Sequence, residues 1–224
     1  MMLLHDLWEG VVKLLFPPLC LVCERRLEEA GQKVCPDCWT SLVPFDDQLF
    51  EQKHVPENLT AIYPGFIFEE KIQTIIHALK YRGYRSLGFS LGELVGSRVI
   101  DKLPQEGIGL VPIPLHLLKL RERGYNQAAA IAEGFSRKTG IPLVAQAIKR
   151  VKNTVTQTQL SAAERQINME GAFAPGRIDQ LRTIHTIVLV DDVFTTGATM
   201  NSAAEILKKA GVGTIIGVTV AAPI

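Results

Sequence analysis

The chain has 224 residues, 47% of them apolar and 21% charged. These are the proportions of an ordinary globular protein, so a disordered or repeat-dominated chain is excluded; the length suits one large domain, or one plus a small module. The net charge is +1, but it is unevenly spread: residues 1–70 carry a net −7, residues 71–152 a net +9 and residues 153–224 a net −1. Such asymmetry marks either an anion-binding region or solvated basic helix faces.

Leu3, Leu4, Leu7, Val11, Leu14 and Leu15 recur at helical spacing and predict an amphipathic N-terminal helix. Pro17 and Pro18 stop it. Asp6 and Glu9 break the apolar stretch and argue against a secretory signal. No run of 18 apolar residues occurs, so no membrane insertion is expected. Only Lys13 is basic, which favours packing of this helix on protein over an anionic membrane. A cytoplasmic location is the expectation.

All four cysteines fall in the next segment, as Cys20-Leu-Val-Cys23 and Cys35-Pro-Asp-Cys38. Two C-x2-C pairs can each turn two thiolates onto one tetrahedral ion, and four thiolates close a structural zinc site. A disulfide pair is the alternative, disfavoured in a cytoplasmic chain. A closed four-cysteine site has no open position for catalysis, so its role is structural or a docking surface for protein or DNA. The acidic, turn-rich stretch 41–58 reads as a link, which divides the chain into a helix-plus-zinc module over 1–50 and a larger domain over 51–224.

In the larger domain, residues 61–68 predict a strand, or a hairpin turning at Pro64-Gly65. Ile72, Ile75, Ile76 and Leu79 predict a helix over 69–82, and Leu87, Leu91, Leu94, Val95 and Val99 another over 86–102. Leu110–Pro114 reads as a short strand, 125–139 as a helix stopped by Gly140, and 150–170 as a loop. Residues 184–190 form a β-branched run, 199–210 a helix, and 214–221 a last strand. Alternating helices and wholly apolar strands predict an α/β fold: a parallel sheet flanked by helices.

The most informative string is Val188-Leu-Val-Asp191-Asp192-Val-Phe-Thr195-Thr196-Gly197-Ala198-Thr199. It passes from buried strand through paired acids to a small-residue turn and a helix start. Ligands in such sheets sit beyond the carboxyl ends of strands. Backbone N–H groups and hydroxyls at Thr195–Thr199 suit a phosphate. Asp191 and Asp192 suit vicinal hydroxyls, or Mg2+ held directly or through water.

This string resembles the signature of type I phosphoribosyltransferases, which bind 5-phosphoribosyl-1-pyrophosphate (PRPP). Further segments follow in order: His77-Ala-Leu-Lys80-Tyr81-Arg-Gly83, Val111–Pro114, Arg121-Glu-Arg123-Gly124-Tyr-Asn126-Gln127, Thr154–Ser161, Glu164–Asn168 and Gly171-Ala-Phe173. With the cysteine pairs, they make nearly the whole chain similar to the ComF/ComFC family of competence-associated proteins. The resemblance implies that Asp191 and Asp192 hold the ribose hydroxyls and Thr195, Thr196, Gly197, Ala198 and Thr199 the 5′-phosphate. It implies a pyrophosphate loop around Leu115 and His116, and a flexible closing loop over 151–168 that contains Thr156, Gln157, Gln159 and Arg165. It also implies a role in bacterial DNA uptake beside a helicase-like partner.

Departure of pyrophosphate calls for Mg2+ and basic donors, and Lys80, Arg121 and Arg123 are the first candidates. Two readings stay open. One is a Mg2+-dependent phosphoribosyltransferase of unknown acceptor. The other is a protein that binds single-stranded DNA or a partner and keeps the PRPP site. Tyr81 and Tyr84 among Lys80, Arg82 and Arg85 motivate the second, because rings stack bases while cations track phosphates.

Overall fold

The computed structural model describes residues 17–29, 31–46, 55–153, 169 and 171–224. The expected N-terminal helix, Asp47–His54 of the link, and Thr156, Gln157, Gln159 and Arg165 lie outside the described residues. In chain order the elements are helix α1 (Pro36–Thr40), strand β1 (Ala61–Ile67), helices α2 (Glu70–Tyr81) and α3 (Arg85–Val99), and strand β2 (Ile108–Pro112). Helices α4 (Leu117–Arg123) and α5 (Gln127–Thr139) follow, then strands β3 (Ile148–Arg150), β4 (Phe173–Pro175) and β5 (Thr186–Val193), helix α6 (Ala198–Lys209) and strand β6 (Thr214–Ala222).

Four strands make one parallel sheet in the order β1-β6-β5-β2. Parallel strands are covered on both faces and must be apolar throughout. Accordingly Val188, Leu189 and Val190 of β5 and Val218 and Val220 of β6 are fully buried. Each such side chain contributes about 1.5–3 kcal/mol, which lets the central strand carry charge where it finally emerges. All four strands run the same way, so their carboxyl ends open on one side of the sheet.

β1 is one continuous strand, with Pro64 opposite Thr219 and Phe66 opposite Ala221 of β6; the expected turn at Pro64-Gly65 is not there. Proline is tolerated in a strand at the sheet edge, and β1 has only β6 beside it in the four-stranded sheet. Gly65 is needed for space: a Cβ there would lie 2.7 Å from Val95 of α3 and 3.1 Å from the Val220 carbonyl. On the outer side of β1, the Phe45 N–H donates to Gly65 and the Ile67 N–H to Val43.

The second expected helix is α-helical only to Val99, and a single tighter turn covers Ile100–Lys102. The short β3–β4 pair is antiparallel, Arg150 facing Phe173. Its strands flank the loop expected over 150–170, in stretches to which the sequence assigned no element, because three residues per strand give no usable periodicity.

The zinc module is not apart from the sheet domain. Cys20, Leu27, Val34, Cys35, Cys38 and Leu42 join Phe66, Ile72, Ile75 and Leu79 in one apolar cluster.

Helices α3 and α5 approach closely through small residues. A Cβ on Gly92 would fall 1.9 Å from the Ile131 carbonyl oxygen, and one on Gly134 would fall 2.1 Å from that of Phe89. Backbone cannot yield as a side chain can. At Gly96 the nearest obstacle is the Thr139 methyl at 3.2 Å. Gly92→Ala is therefore expected to cost at least about 1–3 kcal/mol, as overpacking does. Gly96→Ala should change stability by less, since the gain in helix propensity of about 1 kcal/mol offsets a mild contact. Chemical denaturation of both variants checks the order.

Candidate functional site

β5 emerges from the sheet at Asp191 and Asp192, both partly buried. The Asp192 N–H donates to Asp191 Oδ1 at 2.9 Å. Lys80, in the last turn of α2, reaches across and places Nζ 2.9 Å from both Oδ1 and Oδ2 of Asp192. These groups line a cleft of about 370 Å3 that also includes Lys119, Arg123, Arg150 and residues 193–200.

Electrostatics dominate this cleft. Burial, then the neighbouring Asp192 charge, raises the Asp191 carboxyl to about 7. Burial alone would lower Lys80; the Asp192 carboxylate outweighs it and holds the ammonium above its ordinary value. Lys119 is lowered, first by burial and then by Arg150 and Arg123. Burial also lowers Arg150, against the attraction of Asp191. Four cations thus face two carboxylates among the described residues of the cleft, an excess that suits a polyanion.

The turn after β5 leads into α6. Gly197 is the N-cap of that helix with φ of 77°, a left-handed conformation that favours glycine. A Cβ there would also collide with Pro56 and Phe194, at 2.5 and 2.8 Å. Thr195 and Thr196 are exposed while Gly197 is buried, so the hydroxyl-bearing turn faces the cleft over the start of a 12-residue helix. The unpaired N–H groups of a helix start attract anions.

The predicted residues distribute as follows. Asp191, Asp192, Lys80, Arg123, Leu115 and Thr195–Thr199 line the cleft together. His116 and Arg121 do not line it. His116 caps α4, its Nδ1 accepting the Leu118 N–H at 3.4 Å, and Arg121 is exposed. The register of a seven-residue helix explains this: Lys119 and Arg123 are one turn apart and share a face, whereas Arg121 points away. Lys119 and Arg150 were missed by sequence reasoning. The basic excess of residues 71–152 was their only signal, and it names no position.

Arg123 is held by its neighbours, donating to Gln127 Oε1 at 3.0 Å and lying over the Tyr81 ring at 5.4 Å. The Tyr125 hydroxyl donates to the Leu79 carbonyl, and Asn126 Nδ2 donates to the Ile113 carbonyl at 3.0 Å. These bonds fasten the α4–α5 joint to α2 and to the end of β2. In the stretch with tyrosines among cations, Lys80 pairs with Asp192, Arg85 pairs with Glu133 at 2.6 Å and Lys33 lies over the Tyr84 ring, while Tyr81, Arg82 and Arg85 are exposed.

The cysteines converge as their spacing predicts. The four Sγ atoms lie within 4.8 Å of one another, with Cys23 and Cys35 at 3.7 Å. A tetrahedral zinc with bonds near 2.3 Å needs sulfur–sulfur edges of about 3.8 Å, so the donor set fits zinc. All four thiols are free of disulfides. The Arg25 N–H and guanidinium lower the Cys23 thiol to about 6, so it is a ready thiolate ligand.

Stripping zinc with a strong chelator should loosen this module and lower the first thermal transition, because the cysteines share a cluster with α2. An unchanged melt with metal content at zero would contradict this. The raised Asp191 carboxyl has its own signature. It binds a proton more tightly folded than unfolded, where the value is about 3.9. Its stabilising contribution is full below about pH 4 and is lost as pH rises through about 7. Melts of Asp191→Asn should lack that component, so the variant gains on the parent between pH 5 and pH 8, both estimates from the same linkage.

Comparisons with known proteins agree with this geometry. A phosphoribosyl transferase domain matches residues 114–224, and a double zinc ribbon domain matches residues 11–49. Competence protein F of Haemophilus influenzae is 34% identical over 214 residues, covering 86% of this chain and 92% of that protein. DNA utilization protein YhgH of Escherichia coli K12 is 28% identical, covering 88% and 87%. Competence protein ComFC of Bacillus subtilis is 28% identical, covering 86% and 72%. Among the described residues no helix is long and apolar enough to cross a membrane. With this identity carried over nearly the full length of a relative, and with its zinc-binding cysteines and phosphoribosyl transferase domain, the chain belongs to the competence protein F/ComFC family.

Proposed function

We propose that this protein binds PRPP with Mg2+ and transfers its phosphoribosyl group to an acceptor, in the service of DNA uptake during natural transformation. One observation carries the reading: the strand-end carboxylates, the α6 start and a ring of cations line a single cleft. The names of the relatives, competence proteins and DNA utilization proteins, support the biological setting.

In this reading the Thr195–Thr199 turn takes the 5′-phosphate, whose charge is favourable at a helix start. Asp191 and Asp192 accept hydrogen bonds from the two ribose hydroxyls. Lys119, Arg123 and Arg150 face the diphosphate. The acceptor's lone pair forms a bond to C1 of the ribose while the bond from C1 to the diphosphate oxygen breaks. That electron pair leaves with the diphosphate, and the acceptor gives up a proton. Positive charge grows on the ribose ring and negative charge on the leaving group, so preorganised cations and carboxylates lower the barrier from both sides. Magnesium, bound with the diphosphate, would add Lewis-acid neutralisation of the leaving oxygens.

Calorimetric titration of PRPP with Mg2+ tests the reading. Saturable one-site binding is expected. An Asp191→Asn/Asp192→Asn variant should bind at least roughly tenfold more weakly, since hydrogen bonds to a charged group are each worth about 1.5–3 kcal/mol. Failure of the unaltered protein to bind would refute it.

A further inference from the structure

We infer that Lys80 takes the place of a divalent cation on Asp192, so that the protein alone binds no magnesium at the acidic pair. The inference rests on the phosphoribosyl reading only for the identity of the anion that would occupy the cleft.

Paired carboxylates at a strand end are the usual hard-oxygen donors for such an ion, and here both are already engaged. The Lys80 ammonium is equidistant from the two oxygens of Asp192, at 2.9 Å. A point charge in that position engages the donors a divalent ion would need. Asp191 spends Oδ1 on the Asp192 N–H. Asp192 is therefore already paired with a cation of the protein, and one oxygen of Asp191 is engaged beside it.

The remaining lining reinforces this. Lys80, Lys119, Arg123 and Arg150 exceed Asp191 and Asp192 by two positive charges. Free Mg2+ is repelled by such a cleft, while a polyanion is drawn in. Mg2+ also dehydrates reluctantly and prefers phosphate oxygens with few carboxylates. A metal–diphosphate complex carries net negative charge and meets neither obstacle.

Lys80 is held firmly enough for this role. It sits in the last turn of α2, whose Ile72, Ile75, Ile76 and Leu79 are buried. The Leu79 carbonyl beside it is fastened by the Tyr125 hydroxyl. The helix end thus presents the ammonium at a fixed height over Asp192, and α2 in turn packs on the zinc module. Lys80 is on this account a positioning residue for the acidic pair: it fixes the Asp192 carboxylate at the mouth of the cleft.

The test uses zinc-loaded full-length protein and Mn2+ as the probe, followed by its free-ion paramagnetic resonance signal, without phosphate ligands and above the Asp191 value of about 7. The unaltered protein should remove no Mn2+ at the acidic pair. Lys80→Met and Lys80→Gln, each checked for fold by circular dichroism, should gain one Mn2+ per chain, at least about tenfold tighter than the parent. Lys80→Met/Asp192→Asn should lose that gain. Binding of Mn2+ by the unaltered protein that Asp192→Asn abolishes would overturn the inference. So would folded Lys80 variants that gain none. Because PRPP is absent throughout, failure here is distinct from failure of PRPP binding: a chain that ignores PRPP yet shows this Mn2+ pattern keeps the role of Lys80 and loses the phosphoribosyl reading.

Discussion

Two adjacent carboxylates at the end of a fully buried strand must be compensated, and much of this molecule answers that constraint. Asp191 and Asp192 follow Val188, Leu189 and Val190, which have no exposure at all. Leaving a buried charge unpaired costs more than the pairing returns. The compensation comes from far away in sequence: Lys80 and Asp192 are 112 residues apart. To deliver that ammonium, α2 must end at the carboxyl edge of the sheet. To bring Arg123 and Arg150 there, α4 and β3 must do the same. The parallel topology makes this possible, because every strand ends on the same side.

The zinc module belongs to the same chain of dependence. Its four sulfurs gather a segment that could not build a core from so few residues. It then shares its apolar cluster with α2, the helix that carries Lys80. The metal centre thus has no open position for chemistry, yet it braces the element that sets the charge of the cleft. The close contact of α3 with α5, through Gly92 and Gly134, braces the other side, where α5 begins at Asn126 and Gln127 in the lining of the cleft.

Much of this was legible in the sequence, for physical reasons. Strongly periodic helices such as α2 and α5 and strands with β-branched apolar runs such as β5 and β6 declare themselves. The cysteine spacing and the Asp191–Thr199 string declare their chemistry because each residue type has a specific task within a short span. What was not legible depends on three-dimensional placement. Pro64-Gly65 reads as a turn locally, and only the sheet edge and the approach of Val95 make it strand. Arg121 and Arg123 look equivalent in sequence; helical register sends Arg123 to the cleft together with Lys119, and sends Arg121 to solvent. The pairing of Arg85 with Glu133 and the seating of Lys33 over the Tyr84 ring were not legible either, because both partners are distant in sequence.

The central claim is that the β5 carboxylates and the α6 start form one sugar-phosphate site. A crystal structure of the protein soaked with ribose 5-phosphate tests it most directly, since that molecule carries both groups and no leaving group. The account predicts the phosphate within hydrogen-bond distance of the Thr195–Thr199 turn and the ribose hydroxyls on Asp191 and Asp192. A phosphate bound elsewhere, or this cleft empty at saturating ligand, would contradict it.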